Sequence, residues 1–505
     1  MAPASPGLFI FKCMSKTETK KNETQVARSF TGPELCNLEA HQVVELLRKG
    51  EVSPEDLLDA SATRIEQVEA HVNALPTLCF DRAKEYLARW RKSSATAKDD
   101  PAWLGGLPIT IKDLNAVAGV RTTYGTPGLS DFVPESSDPL VERLEDRGGL
   151  VVAKSNTPEM GAGGNTFNSV FGMTRNPRDT RRNAGGSSGG AAASLASGEV
   201  WLSHGSDLAG SLRTPAAYCG VVGLRPSPGR TGGAPADIAF NTEAVSGPMA
   251  RSVMDCALFL DAMSGFDPRL PVSYPSPDQP FQTAVKQADS NVRIGFSINL
   301  NGFVPVSSSI EQVLRRALSQ LESAGAKVSE SCPQLPELDK TYRVLRAMVW
   351  AAGPGKLPIE VQQQYKLTLM ENIDYGRDLS VDEVFEAQRN RSVIFHNMHD
   401  YLTKYDVLAC PTVGLPAGPV EQEYPTEVDG KPLRDYIEWL RFSYLSTTSG
   451  LPSISIPVGF LEDGMPVGLQ LIGPHRGEAK LLAVARFIEQ VVCFPVAPID
   501  PNVQH

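Results

Sequence analysis

Short runs rich in β-branched residues alternate with amphipathic helical segments along almost the whole of a 505-residue chain. That alternation restricts the fold more than any other feature. A strand, then a helix, then a strand favours an α/β layering in which helices cover both faces of a sheet. The strand readings are Pro108–Lys112, Leu150–Ala153, Val292–Phe296, Ala326–Val328, Ser453–Val458 and Val467–Ile472. Helical spacing runs through Asp138–Arg147, Ile310–Leu321 and Glu478–Val491. The expectation is one large α/β domain over residues 34–498, with residues 340–405 as a mostly helical insertion or cap. A mobile N-terminal tail over 1–33 and a C-terminal tail over 499–505 would flank it, and Met14 is as good a start as Met1. No internal repeat is evident.

Before the first strand the pattern is helical. Asn37 is placed to cap a segment reaching Lys49, which Gly50 stops. Ser53-Pro54-Glu55-Asp56 combines an N-cap serine, a first-turn proline and a capping-box acid, followed by apolar residues at helical spacing. A polar linker, Ser93–Pro101, separates this part from the first strand.

Composition excludes several classes of function. With 41% hydrophobic and 21% charged residues the chain has the makings of a sizeable core. A net charge of −10 argues against nucleic acid or an anionic membrane as the main partner, since both need a positive field. No apolar run is long enough to span a bilayer, and Gly7–Phe11 is too short for a signal-peptide core. Eight cysteines stand singly with no CxxC pair, which fits reduced thiols in the cytoplasm; Cys219 and Cys410 read as core packing.

The most unusual composition is Asn183-Ala184-Gly185-Gly186-Ser187-Ser188-Gly189-Gly190 followed by an alanine run. Glycines around a serine pair let the backbone approach a ligand closely, and the alanines favour a helix whose N–H groups would point at the serines. Such a stretch is otherwise just a loop, and it carries no Walker or dinucleotide pattern. Further on, Gly205-Ser206-Asp207-Leu208-Ala209-Gly210-Ser211-Leu212-Arg213 offers a serine at the end of a small-residue turn, where neighbouring N–H groups can converge on an oxyanion. It also reads as a structural turn with an Asp207–Arg213 ion pair.

A Ser–His–Asp triad needs a histidine, and none of the seven is well placed: His204 is near Ser211 but has no marked acid partner, and His396 with His399 lacks a third metal ligand. The better base is Lys112, at the end of an apolar strand and followed by the apolar stretch Leu114–Val120. Buried there, its charged form would be disfavoured and the neutral amine could take a proton; a solvated strand-end lysine is the bland alternative.

These segments, together with Cys219–Pro226, Gly247–Arg251 and Gly450–Pro457, resemble the amidase signature family over about residues 35–495. The resemblance implies a mixed central sheet and no metal or organic cofactor. It implies Lys112 as base, Ser187 as a bridging serine held by a cis peptide bond, and Ser211 as the nucleophile that forms an acyl-enzyme. The backbone N–H groups of Leu208, Ala209, Gly210 and Ser211 correspond to the oxyanion hole, with Asp207 and Arg213 as its support. Many members have Gly-Gly before the nucleophile, whereas this chain has Ala209-Gly210.

The expected activity is hydrolysis of a small-molecule amide to carboxylate plus ammonia or amine. Alternatives are the glutamine-hydrolysing subunit of a tRNA-dependent amidotransferase and a non-catalytic scaffold. A homodimer rests on the resemblance alone. Candidates for the acyl pocket are Tyr124–Leu129, Met160-Gly161 and the aromatics Tyr436, Trp439, Phe442 and Tyr444, which core packing would equally explain.

Overall fold

Along the central strands, consecutive residues are buried without alternation, so the sheet has to be covered on both faces. The computed structural model describes residues 29–93, 97–233 and 238–504. Eleven strands form one mixed sheet: β1 (Thr77–Leu78), β2 (Pro108–Lys112), β3 (Leu150–Ser155), β4 (Leu202–Asp207), β5 (Val222–Arg225), β6 (Val245–Ala250), β7 (Arg293–Phe296), β8 (Lys327–Glu330), β9 (Val407–Pro411), β10 (Ser453–Phe460) and β11 (Pro466–Ile472). Their order is β1-β3-β2-β4-β6-β5-β10-β11-β9-β7-β8. Strands β3, β2 and β4 run parallel at one end and β9, β7 and β8 at the other, with antiparallel pairs between. This is the α/β class that the alternation predicts.

The strands and helices read from periodicity lie within two residues of their observed ends. Strands β1, β4, β5, β6 and β9 were not expected. In β4, Leu202-Ser203-His204-Gly205-Ser206-Asp207 lacks the alternating β-branched pattern, because its small residues serve close packing: a Cβ on Gly205 would sit 2.7 Å from Ser188 Oγ. Near the N-terminus, helix α1 covers Ala40–Lys49 and is capped by Glu39 with Gln42, not by Asn37, which ends a short helical turn. Gly50 ends α1 in the left-handed region as expected. Helix α2 (Pro54–Val72) has the Ser53–Asp56 capping box.

Most of the tail expected over 1–33 lies outside the described residues. Its described end is tied down: Phe30 lies under the Arg64 guanidinium and the Thr31 N–H donates to Asp500. The expected C-terminal tail is likewise fixed, with Ile499 N–H donating to Ala196 and Asn502 N–H to Pro177. Residues 340–405 are mostly helical. No helix among the described residues is long and apolar enough to cross a membrane.

Helix α3 (Gly189–Ser197) is buried over its whole length, directly behind the serine pair. A Cβ on Gly190 would run into the backbone of Asn156 and Ala74. Alanine gains about 1 kcal/mol of helix propensity over glycine, but overpacking against rigid backbone costs about 1–3 kcal/mol and more when nothing can yield. Gly190→Ala should therefore lower the free energy of unfolding measured in urea; a variant as stable as the parent would mean that α3 can move away from β3.

Candidate active site

Because β2 and β4 are parallel neighbours, with Thr110 opposite Ser203, their C-terminal ends share one edge of the sheet. Ligand sites in α/β folds form at such carboxyl ends. Here β2 delivers Lys112, β4 delivers Ser206 and Asp207, and the turn into α3 delivers Ser187 and Ser188. Lys112 Nζ lies 2.6 Å from Ser187 Oγ, 2.9 Å from Ser188 Oγ and 3.1 Å from Ser206 Oγ. The peptide bond between Gly186 and Ser187 is cis.

Lys112 is fully buried, and every side-chain neighbour that binds its amine is a hydroxyl. Burial pushes its ammonium down to about 7, against a smaller opposing pull from Asp207. His204 is equally buried and is driven down to about 3 by desolvation and by Lys112, so it stays neutral. Its Nδ1 accepts the Lys112 backbone N–H at 3.3 Å, which leaves it no role as base toward Ser211.

The nucleophile turn is built around Asp207. Its carboxylate accepts Gly210 N–H at 3.0 Å and Leu212 N–H at 3.1 Å, wrapping the chain so that Ser211 stands at the apex. Arg213, at the start of helix α4 (Arg213–Cys219), grips the same carboxylate through Nε at 3.0 Å and Nη2 at 2.8 Å. Arg225 adds Nη1 to the Asp207 carbonyl at 2.5 Å. Burial alone would raise the Asp207 carboxyl, but the two guanidiniums hold it well below the usual carboxylate range. One carboxylate between two arginines leaves this buried cluster with net positive charge beside Ser211. Arg225 had no role in the sequence reading; its signal, a charged residue inside an apolar strand, is visible only once β5 is recognised.

Gly210 has φ of +90°, and a Cβ there would strike Ser443 Oγ, so the position requires glycine. Ala209 is not in the left-handed region, which explains how this chain carries alanine there. Among the described residues, the N–H groups of Leu208, Ala209 and Ser211 meet no protein acceptor. Gly210, expected to share in the oxyanion hole, has its N–H committed to Asp207 instead. The Ser188 N–H donates to the Ser211 carbonyl at 3.1 Å and so fastens the two serine segments together.

Ser187 and Ser211 open onto a cavity of about 630 Å³. Its walls are mainly apolar, with Leu114, Tyr124, Leu129, Met160, Trp350 and Leu440 prominent. Tyr124, Leu129, Met160 and Gly161 thus line it as anticipated, whereas Tyr436, Trp439, Phe442 and Tyr444 are core residues outside the wall. Among the described residues one grouping, Glu39, His41 and Asp255, has metal-type donors, but Asp255 already accepts the Ala40 and His41 N–H groups as part of the α1 N-terminus.

A family model described as Amidase matches residues 56–482. An acylamidase of Rhodococcus erythropolis is 34% identical over 466 residues, covering 90% of this chain and 95% of that protein. A subunit of the glutamyl-tRNA(Gln) amidotransferase of Halothermothrix orenii is 33% identical, covering 91% and 98%. Among solved structures, a bacterial aryl acylamidase of the amidase signature family superposes with a TM-score of 0.82 at 28% identity, covering 90% of this chain and 96% of that one.

Asp207→Asn would leave Arg213 and Arg225 buried without a countercharge. Removing one partner of a buried pair costs about 3–5 kcal/mol, so denaturant unfolding should show a loss of that order together with loss of turnover. Unchanged stability would mean that the arginines find other acceptors.

Proposed function

The chain belongs to the amidase signature family, hydrolases of the carbon–nitrogen bond of amides, and from that premise we propose that Ser211 attacks the amide carbonyl while Lys112 and Ser187 move its proton. The observation that carries this reading is a fully buried amine 2.6 Å from the Ser187 hydroxyl with no carboxylate bound to it. A neutral amine there accepts the Ser187 hydroxyl proton on its lone pair, while its two N–H bonds point to Ser188 and Ser206. No hydrogen bond joins Ser187 to Ser211 in the resting geometry; catalytic hydrogen bonds commonly tighten only when substrate is bound.

As Ser211 Oγ bonds to the carbonyl carbon, its proton passes to Ser187 and the Ser187 proton passes to Lys112. The carbonyl oxygen becomes negative and is met by the free N–H groups of Leu208, Ala209 and Ser211, in the field of the Asp207–Arg213–Arg225 cluster. Collapse breaks the C–N bond as the relay returns the proton to the departing nitrogen, releasing ammonia or amine. A water then attacks the acyl ester by the same route, yielding the carboxylate and regenerating Ser211.

The apolar walls favour a hydrophobic acyl chain over free glutamine. Glutamine presents an α-ammonium, and the one acid on the cavity wall among the described residues, Asp207, is taken up by two arginines. The reading as an amidotransferase component, motivated by the 33% identity to such a protein, therefore ranks second. We place the enzyme in the cytoplasm, a reading supported by the free cysteines among the described residues.

A fluorophosphonate probe tests this directly. It should label Ser211, with a rate that rises through about pH 7 as Lys112 loses its proton and is flat above. Lys112→Ala should slow labelling by about 10²–10⁴-fold and abolish the pH step. Labelling that is absent, or unaffected by Lys112→Ala, contradicts the relay.

A further inference from the structure

Among the described residues, the cavity wall contains one cation, which the relay does not use. Helix α5 (Leu338–Ala352) turns Arg346, Val349 and Trp350 toward the cavity, at the spacing of one helical face. Arg346 is 3% exposed. Its Nε donates to Asn372 Oδ1 at 3.0 Å and its Nη2 to the Tyr436 hydroxyl at 2.8 Å. The guanidinium also lies 5.2 Å from the Trp350 ring centroid.

Among the described residues no carboxylate pairs with it. Arg343, one turn earlier on the helix, is held by Asp339 and Asp435. Lys366, the other cation in this region, is paired with Glu423 at 2.9 Å. A buried guanidinium ordinarily has an acid partner, since the desolvated charge is costly alone. Of its five N–H donors, the two on Nη1 have no acceptor in hydrogen-bonding geometry among the described residues. Asn372 and Tyr436 fix the plane of the fork, the buried Tyr342 hydroxyl lies beside it, and Arg346 lines the cavity, where a guanidinium can accept a carboxylate through two parallel bonds.

We propose that Arg346 is the subsite for a carboxylate at the end of the substrate remote from the scissile bond. The substrate class is then an amide with an apolar middle and an anionic end. This rests on the reading of Ser211 as nucleophile and adds to it a specificity determinant.

The test uses two sets of amides of graded chain length, one with the remote carboxylate on the acyl part and one with it on the amine part. Each is paired with a compound ending in isopropyl in place of the carboxylate. In one set or the other the carboxylated member should have the higher kcat/KM by about 10- to 100-fold, the worth of a charge-assisted hydrogen-bond pair. Arg346→Gln should lower kcat/KM for the carboxylated compound by about that factor more than for its isopropyl partner, chiefly through KM. Arg346→Lys, which keeps the charge and loses the fork, should retain part of the margin and covers a Gln variant that fails to fold. Calorimetric binding of the carboxylated amides to Ser211→Ala enzyme should be seen in one set and should disappear when Arg346→Gln is added. Turnover without a carboxylate preference in either set, or equal losses on both members of a pair, overturns the proposal. Arg346-dependent binding without any turnover would instead sustain it and place the fault in the assignment of Ser211.

Discussion

An amine enclosed by protein and given hydroxyls in place of a carboxylate loses the hydration that stabilises its charge and receives little in return. Lys112 is in that position, and its neighbour Lys154 on β3 shows the contrast. Both are fully buried and pushed down by desolvation, but Lys154 Nζ has Asp113 at 3.2 Å to oppose that shift and also donates to the Asn115 carbonyl and Thr122, so it serves as a structural tie beneath the 113–123 loop. Lys112 has Ser187, Ser188 and Ser206. The same residue type does two jobs on adjacent strands, and the presence or absence of one carboxylate decides which.

The remaining architecture around the site follows from keeping that amine isolated while holding Ser211 near it. Asp207 is close enough to pull the lysine toward its charged form, and Arg213 and Arg225 take up that carboxylate. The same three groups fold the turn, fill the N–H capacity of Gly210 and Leu212, and leave net positive charge where a carbonyl oxygen would become negative. Arg213 is tied onward to Gln470 on β11 at 2.5 Å and to Ser446 at 2.7 Å, so the turn is anchored to the far side of the sheet.

Much of this was legible in the chain. Lys112 at the end of an apolar strand, the Gly–Ser run and the Ser206–Arg213 segment each had a physical reading, and the resemblance joined them in order. What escaped notice has specific causes. Strand β4 is made of small and polar residues, because it must let α3 approach closely, so its pattern does not look like a strand. Ser206 and Ser188 sit inside the two serine-bearing segments, but only the three-dimensional pairing of β2 with β4 shows that both bind the lysine. The resemblance implies Gly210 in the oxyanion hole, and the competing acceptor, Asp207, becomes visible only when the turn closes. Arg346 lies on a helix that reads as generic cap, and only the surroundings in space show that its partners are an amide and a hydroxyl in place of an acid.

The account stands on the ionisation of one side chain, and that can be observed without reference to turnover. In protein labelled with ¹³C at lysine Cε, the resonance missing from a Lys112→Met variant identifies the residue, and its chemical shift can be followed against pH. The account predicts a midpoint at about 7. A midpoint in the ordinary lysine range near about 10.4 would mean that the amine stays charged at neutral pH, and the proton route through Ser187 to Ser211 could not operate.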